Sequence, residues 1–281
     1  MGTDEKNVLI LGCGYVGTAL ARLWQTHDDF CVTVTTTREE RLPELRLLAD
    51  QAIALHGDDP TGLRSQLEST QILVISVGAK RGIPYTDTYL KTAETLRAAL
   101  VGNTCVEQII YTSSYAVYGD RQGAWVTEDM PAHPTNDNGE VLYQTEQILL
   151  SLAQPQRPVC VLRLGGIYGP GRELNRIFQN AAGQTRPGDG SNPANWVHLD
   201  DIVGAIDFGV QHRLQGLYNL VDSQPMAIKD LLDWVCDRHQ LSPIHWDPSL
   251  PSSKSYNAKV SNQKLRDAGY RFQHPAIFER P

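Results

Sequence analysis

A glycine-rich turn near the start of the chain does most to limit what it can fold into. Val8–Leu11 is an apolar run that ends at Gly12, and the turn Gly12-Cys13-Gly14-Tyr15-Val16-Gly17 follows it. Within Tyr15–Gln25, residues Val16, Leu20, Leu23 and Trp24 then recur at helical spacing. Strand, tight turn and helix in this order bring backbone N–H groups and a helix N-terminus to one point, where a pyrophosphate is bound. Gly12 permits the turn, Gly14 lets phosphates approach the backbone, and Gly17 lets the helix pack close to the strand. Tyr15 and Val16 complete the turn, and a nicotinamide dinucleotide is the expected ligand.

The same alternation continues down the chain. Phe30–Thr35, Ala52–Leu55, Ile72–Val77, Val106–Tyr111 and Val159–Leu164 read as strands, and Glu39–Ala49, Thr86–Leu100 and Glu140–Leu152 as amphipathic helices. Apolar strands separated by helices imply a parallel sheet covered on both faces, because parallel neighbours need long crossovers. The expected class is a doubly wound α/β (Rossmann) fold. Beyond Gly165 the character changes, with Gly and Pro clustered at Gly169-Pro170-Gly171 and from Pro187 to Pro193, then helices at Asp200–His212 and Ile228–His239. The expected division is a dinucleotide domain over residues 1–168, which also receives about 195–225, and a small, interleaved substrate lobe over 169–281.

Composition narrows the partners. A net charge of −7 argues against nucleic acid or an anionic membrane, both of which reward a basic surface. Five cysteines are scattered singly, without a C-x-x-C pair, which fits neither a disulfide framework nor a zinc site, and since no His/Cys/Asp cluster has metal spacing, no metal is expected. Met1–Asn7 is polar and acidic, no run of about 18 apolar residues follows, and a cytoplasmic protein is expected.

Cofactor choice is read at the end of the second strand, where an acid suits the ribose diol of NAD and a base the 2′-phosphate of NADP. Here stands Thr35-Thr36-Thr37-Arg38. With no acid at Thr36 or Thr37 and a guanidinium at Arg38 able to grip phosphate bidentately, NADP is expected ahead of NAD.

Further along, Thr112-Ser113-Ser114-Tyr115-Ala116-Val117-Tyr118-Gly119 resembles a motif of the extended short-chain dehydrogenase/reductases, the NAD-dependent epimerase/dehydratase family. Leu162-Arg163 with Ile167-Tyr168-Gly169-Pro170-Gly171, then Val197-His198-Leu199-Asp200-Asp201, and finally Ser261–Leu265 with Gly269-Tyr270 are similar to that family's later segments, in the same order. The resemblance implies that Ser114 holds a substrate oxygen and that Thr112, Val77 and Gly78 line the cofactor. It also implies that Asp58 meets the adenine, with a helix N-cap as the plainer alternative. Arg172, Asn195 and His198 fall where relatives gather substrate contacts, although a surface ion pair would equally explain Arg172 with Arg176, and packing would explain His198.

The family's chemistry normally adds a Tyr that transfers a proton and a Lys four residues later that lowers the Tyr pKa. Tyr143 is followed four residues on by Gln147, which carries no charge. A second registration rests on Glu146-Gln147-Ile148-Leu149, which is similar to a stretch that begins four residues after the Lys in UDP-galactose 4-epimerase and its relatives. That registration puts Leu142 at the Lys position and Asn138 at the Tyr position, so both catalytic side chains are absent. Two functional classes follow. One is an enzyme acting on a sugar nucleotide or a small alcohol or ketone; the other is a non-catalytic NADP-binding sensor or partner-binding module. A homodimer through Thr86–Leu100 and Glu140–Leu152 is an arrangement the resemblance allows.

Overall fold

The computed structural model describes residues 5–250 and 256–278. Met1–Asp4, part of the acidic start, lie outside the described residues. In chain order the principal elements are β1 (Lys6–Leu11), α1 (Tyr15–Trp24), β2 (Phe30–Thr36), β3 (Gln51–Ala54), α2 (Pro60–Leu67), β4 (Ile72–Ile75), α3 (Lys91–Ala99), β5 (Gln108–Ser114), α4 (Asp137–Leu150), β6 (Val159–Leu164), α5 (Leu199–Gln211) and β7 (Gly216–Leu220). The seven strands form one sheet in the order β7-β6-β5-β4-β1-β2-β3. β1 runs parallel to both β2 and β4, with Val8 opposite Val32 and Ile72, and the β2–β3 and β4–β5 registers are parallel as well. The doubly wound class expected from the strand–helix alternation is therefore the fold observed, with the reversal of strand order at β1 and β4.

Burial explains the composition of these strands. β4 and β6 are buried along their whole length, as strands covered on both faces must be, and hence read as apolar runs, unbroken in β4 and interrupted only by the buried Arg163 in β6. α1 turns Val16, Gly17, Leu20, Ala21 and Trp24 inward. Trp24 is fully buried, and its indole N–H donates to Asp207 Oδ1 over 2.7 Å. The core between sheet and helices joins Leu9, Leu11, Leu63, Leu67, Leu73, Leu96, Tyr111 and Val161.

Two expected helices are altered. Glu39–Ala49 shrinks to a 3₁₀ turn, Glu39–Arg41, and one α turn, Leu42–Leu45, because Leu45 alone gives it a buried anchor while Leu47 stays exposed. One buried side chain does not offset the cost of ordering a longer helix. Thr86–Leu100 begins as a wide π turn, Thr86–Leu90, and becomes α-helical only from Lys91.

Two compact units are present. The first comprises the described residues up to Ser113, with Glu140–Leu162 and Val203–Leu217; the second comprises Ser114–Gly139, Arg163–Ile202 and the described residues from Tyr218 onward. Each unit is discontinuous along the chain. The second unit is built from short strand pairs: Gly166–Tyr168 with Trp196–His198, Pro193–Ala194 with Met226–Ala227, Thr185–Pro187 with His245–Asp247, and Asp120–Val126 with Asn257–Val260. Its core gathers Leu231, Leu232 and Val235 from the helix Ile228–His239, against Leu174, Ala194 and Met226.

Candidate functional site

In the first unit, the glycine turn is held from behind by its neighbours. The Gly12 amide donates to Thr35 Oγ1 over 2.9 Å and the Cys13 amide to the Thr35 carbonyl over 2.7 Å, which ties the turn to the end of β2. Gly12 has φ +97°, and a Cβ there would stand 2.7 Å from the Ser76 carbonyl oxygen at the end of β4. A Cβ on Gly17 would stand 2.5 Å from the Gly12 carbonyl oxygen. Around Gly14, by contrast, nothing lies within 4 Å of such a carbon. Helix α1 starts there with no side-chain cap and no acid in its first turn. The positive end of the helix dipole thus lies beside a glycine with open space on its Cβ side, an arrangement that suits a pyrophosphate.

Cationic groups collect beside this turn. Arg38 is exposed, with Glu40 at 3.8 Å from its Nε. Lys80, just past β4, donates from Nζ to Thr37 Oγ1 over 3.0 Å. Arg41, only 18% exposed, donates to the Cys13 carbonyl over 2.5 Å and pairs with Glu44. Sequence reasoning named Thr37 and Arg38 but missed Lys80 and Arg41. Lys80 could have been noticed as a cation two residues past Gly78, but only the β1–β2–β4 adjacency brings it to Thr37.

The remaining cofactor candidates are placed as follows. Gly78 is exposed with open space around it, Val77 is half-buried, and Thr112 Oγ1 is 3.3 Å from the Ile75 carbonyl on the neighbouring strand. The cap of α2 is Asp59, whose Oδ1 accepts from the Thr61 and Gly62 amides at 3.1 and 3.0 Å. The N-cap alternative for Asp58 is thereby corrected, and the Asp58 carboxylate stands at the surface. Tyr89 accepts the Ala79 amide at 3.2 Å, and burial raises its phenol pKa.

Helix α4 carries the residues of both registrations. Glu146 is fully buried and its Oε1 accepts from Ser113 Oγ over 2.6 Å. Leu142, one turn earlier on the same face, is also buried. Tyr143 is half-buried, while Gln147 and Asn138 are exposed. A helix presents one face to its sheet, and Leu142 and Glu146 lie on it while Gln147 does not.

Within the second unit, Ser114 is half-buried and its Oγ accepts the Ala116 amide at 3.2 Å, capping the 3₁₀ turn Tyr115–Tyr118. Asn195 is buried with both ends of its amide engaged: Nδ2 donates to the Ala258 carbonyl at 2.8 Å, and Oδ1 accepts the Val260 amide at 2.9 Å. It ties two chain segments together, which corrects its expected role as a substrate contact. Arg172 is exposed and precedes the helix Leu174–Phe178, so it shares no helical face with Arg176, whose partner is Glu173 at 3.3 Å.

His198 belongs to an unexpected cluster. Its Nδ1 and the Nε2 of His274 each lie 3.4 Å from Asp200 Oδ2, and the two imidazole centroids are 3.8 Å apart. Tyr168 packs edge-on against His198 at 5.0 Å. Burial and the neighbouring His274 lower the His198 pKa, against opposing pulls from Asp200 and Asp201. No metal spacing in the sequence marks this cluster; the fold assembles it from His198 and Asp200 together with His274, which lies 76 and 74 positions after them. Nearby, buried Asp222 has an unpartnered Oδ2, and burial pushes its pKa up to about 7.

Comparison with known proteins adds context. Residues 8–220 match the model of the NAD dependent epimerase/dehydratase family. The chain is 31% identical to Protein YeeZ of Escherichia coli K12, over 96% of this chain and 97% of that protein. It is 28% identical to the N-acetyl-alpha-D-glucosaminyl-diphospho-ditrans,octacis-undecaprenol 4-epimerase of Escherichia coli O157:H7, over 81% of this chain and 71% of that one. Among solved structures it resembles dTDP-glucose 4,6-dehydratase from Bacillus anthracis, determined with NAD, with a TM-score of 0.77, 18% identity and coverage of 96% and 92%. That last likeness is one of fold. No helix among the described residues is long and apolar enough to cross a membrane.

Proposed function

The chain belongs to the NAD-dependent epimerase/dehydratase family, and on that premise we propose that it binds NADP and acts on a sugar nucleotide or a small alcohol or ketone without the usual Tyr/Lys proton relay. The observation that carries the cofactor assignment is the open, uncapped start of α1 at Gly14 beside Thr37, Arg38, Arg41 and Lys80. The pyrophosphate is assigned to the amides after Gly14, and the 2′-phosphate to Arg38 and Lys80. Two cations and a hydroxyl can surround a dianion, whereas a ribose diol would want an acceptor, and none of Thr35, Thr36, Thr37 and Arg38 is an acid. Asp58, Val77, Gly78 and Thr112 are assigned to the adenosine and nicotinamide halves by resemblance to the family. NADP, when bound, supplies hydride transfer.

Ser114 is assigned to the substrate oxygen, for which its hydroxyl still has a proton to donate while accepting the Ala116 amide. The substrate class is supported by the related 4-epimerase, whose name gives a sugar diphosphate. A second function, holding or sensing NADP without turnover, is favoured by one observation: the buried side chain one turn before Glu146 is the apolar Leu142.

Fluorescence titration with NADPH and NADH, followed by nicotinamide absorbance across a panel of sugar nucleotides and ketones, tests both. NADPH binding with turnover on one member of the panel is the expected result. Tight NADPH binding with no turnover anywhere would leave the sensor, and failure to bind either dinucleotide would overturn both.

A further inference from the structure

We propose that His198, Asp200 and His274 form a binding site for a zinc-like divalent transition metal. Each contributes one donor atom, and all three donors lie within 4.8 Å of one another. The two imidazole-to-carboxylate distances are those of a coordination sphere more than of an ion pair, and donors as far apart as 4.8 Å close by roughly 1.5 Å for one ion to reach all three. Donors 2.0–2.1 Å from a tetrahedral zinc stand roughly 3.3 Å apart, and both imidazole nitrogens are 3.4 Å from the same carboxylate oxygen. A charge-assisted N–H···O bond would bring them to about 2.7–2.9 Å. Two imidazoles and one carboxylate form a donor set of intermediate softness, which favours zinc, cobalt, nickel or copper over magnesium or calcium.

The donors are held in place by the surrounding structure. His198 ends the short strand Trp196–His198, and Asp200 lies in the first turn of α5, so their separation is set by the strand-to-helix join. The Nδ1 of His198 already has its lone pair on this side, where it accepts the Asp200 amide at 3.2 Å; coordination replaces that contact. His274 arrives from the chain's last described segment, pinned by Asp201, whose carboxylate accepts the Gln273 amide at 2.6 Å and the His274 amide at 3.0 Å. The Ser223 amide bonds the next carbonyl, that of Pro275, at 2.8 Å. His198 is 12% exposed, whereas Asp200 and His274 are 49% and 40% exposed. Water therefore reaches the fourth position, and three protein ligands with one open place make a site able to polarise a bound oxygen as well as to staple the segment around His274 onto α5.

Untagged full-length protein, stripped with chelator and dialysed, is titrated calorimetrically with zinc and with magnesium, and separately with cobalt while its visible spectrum is followed. The expected result is one equivalent of zinc, no saturable magnesium binding, and the intense visible bands of four-coordinate cobalt. His274→Gln and His198→Gln should each weaken zinc by at least about 100-fold, and Asp201→Asn, which removes a positioning carboxylate, by about 10–100-fold. Circular dichroism checks that the variants fold; should one not, the cobalt spectrum of the native chain still decides the matter. No stoichiometric zinc in the native protein, an octahedral cobalt spectrum, or zinc binding unchanged in His274→Gln would overturn the proposal.

Discussion

Ser113 Oγ donates to Glu146 Oε1 over 2.6 Å, with both residues buried between the end of β5 and helix α4. This bond holds Glu146 on the face of α4 that looks at the sheet, the face shared by Leu142 one turn earlier and not by Gln147. Replacing Glu146 by alanine removes the acceptor and leaves a buried hydroxyl unpaired, which costs about 1–3 kcal/mol. Denaturant unfolding of Glu146→Ala should show that loss, and of Glu146→Gln, which keeps an acceptor, a smaller one. Equal losses in the two variants would mean that packing rather than the hydrogen bond is responsible.

The register has a consequence for chemistry. Installing Asn138→Tyr together with Leu142→Lys should raise any nicotinamide-linked turnover by roughly 10²-fold, the lower end of what a positioned proton donor contributes. Gln147→Lys, on the exposed face, should leave the rate where it was. A gain in the Gln147 variant would reverse the assignment of faces.

The glycine turn separates folding from binding. Gly12→Ala places a carbon 2.7 Å from the Ser76 oxygen at a backbone angle that L-residues avoid, and should destabilise the protein by about 1–3 kcal/mol or more. The Cβ that Gly14→Val adds meets nothing within 4 Å, so its melting temperature should stay close to native while dinucleotide affinity falls. Thermal melts paired with NADPH titration check this. Unimpaired NADPH binding by Gly14→Val would remove the pyrophosphate from this turn.

Arg38→Asp and Lys80→Ala should each weaken NADPH by about 10–100-fold, the worth of one hydrogen bond to a charged group, and leave NADH nearly unchanged. Equal loss for both cofactors would refute the 2′-phosphate assignment.

Asp222 predicts a pH dependence of stability. Its folded pKa, about 7, lies above its ordinary value of 3.8 because burial disfavours the charged form and one carboxylate oxygen has no partner. The folded state therefore holds a proton that the unfolded chain releases. The stability this confers is complete below about pH 4 and is lost as pH rises through about 7, by up to a few kcal/mol. Asp222→Asn keeps the acceptor for the Gln224 amide, at 3.0 Å, without the charge. Chemical denaturation at pH 5 and pH 8 should show the variant less pH-sensitive and more stable at pH 8, and an unchanged pH dependence would rule Asp222 out as its source.

Local pattern was enough for most of the sheet half of this protein, although it did not reveal the edge strand Gly216–Leu220 or the helix Pro60–Leu67. Apolar runs alternating with 3.6-residue periodicity, and glycines at Gly12, Gly14 and Gly17, determine strand, turn and helix because burial and backbone sterics act over a few neighbouring residues. The second unit was not legible in this way: its strands are two to seven residues long, too brief or too irregular for periodicity, and they pair across gaps such as Asp120–Val126 with Asn257–Val260. Asn195 looked like a ligand contact until its amide was found bridging residues 258 and 260. Lys80 beside Thr37, and His274 beside His198 and Asp200, arise the same way. Each is a contact a few ångströms long between residues tens of positions apart, so strand order and chain closure alone create it, and no spacing along the sequence encodes it.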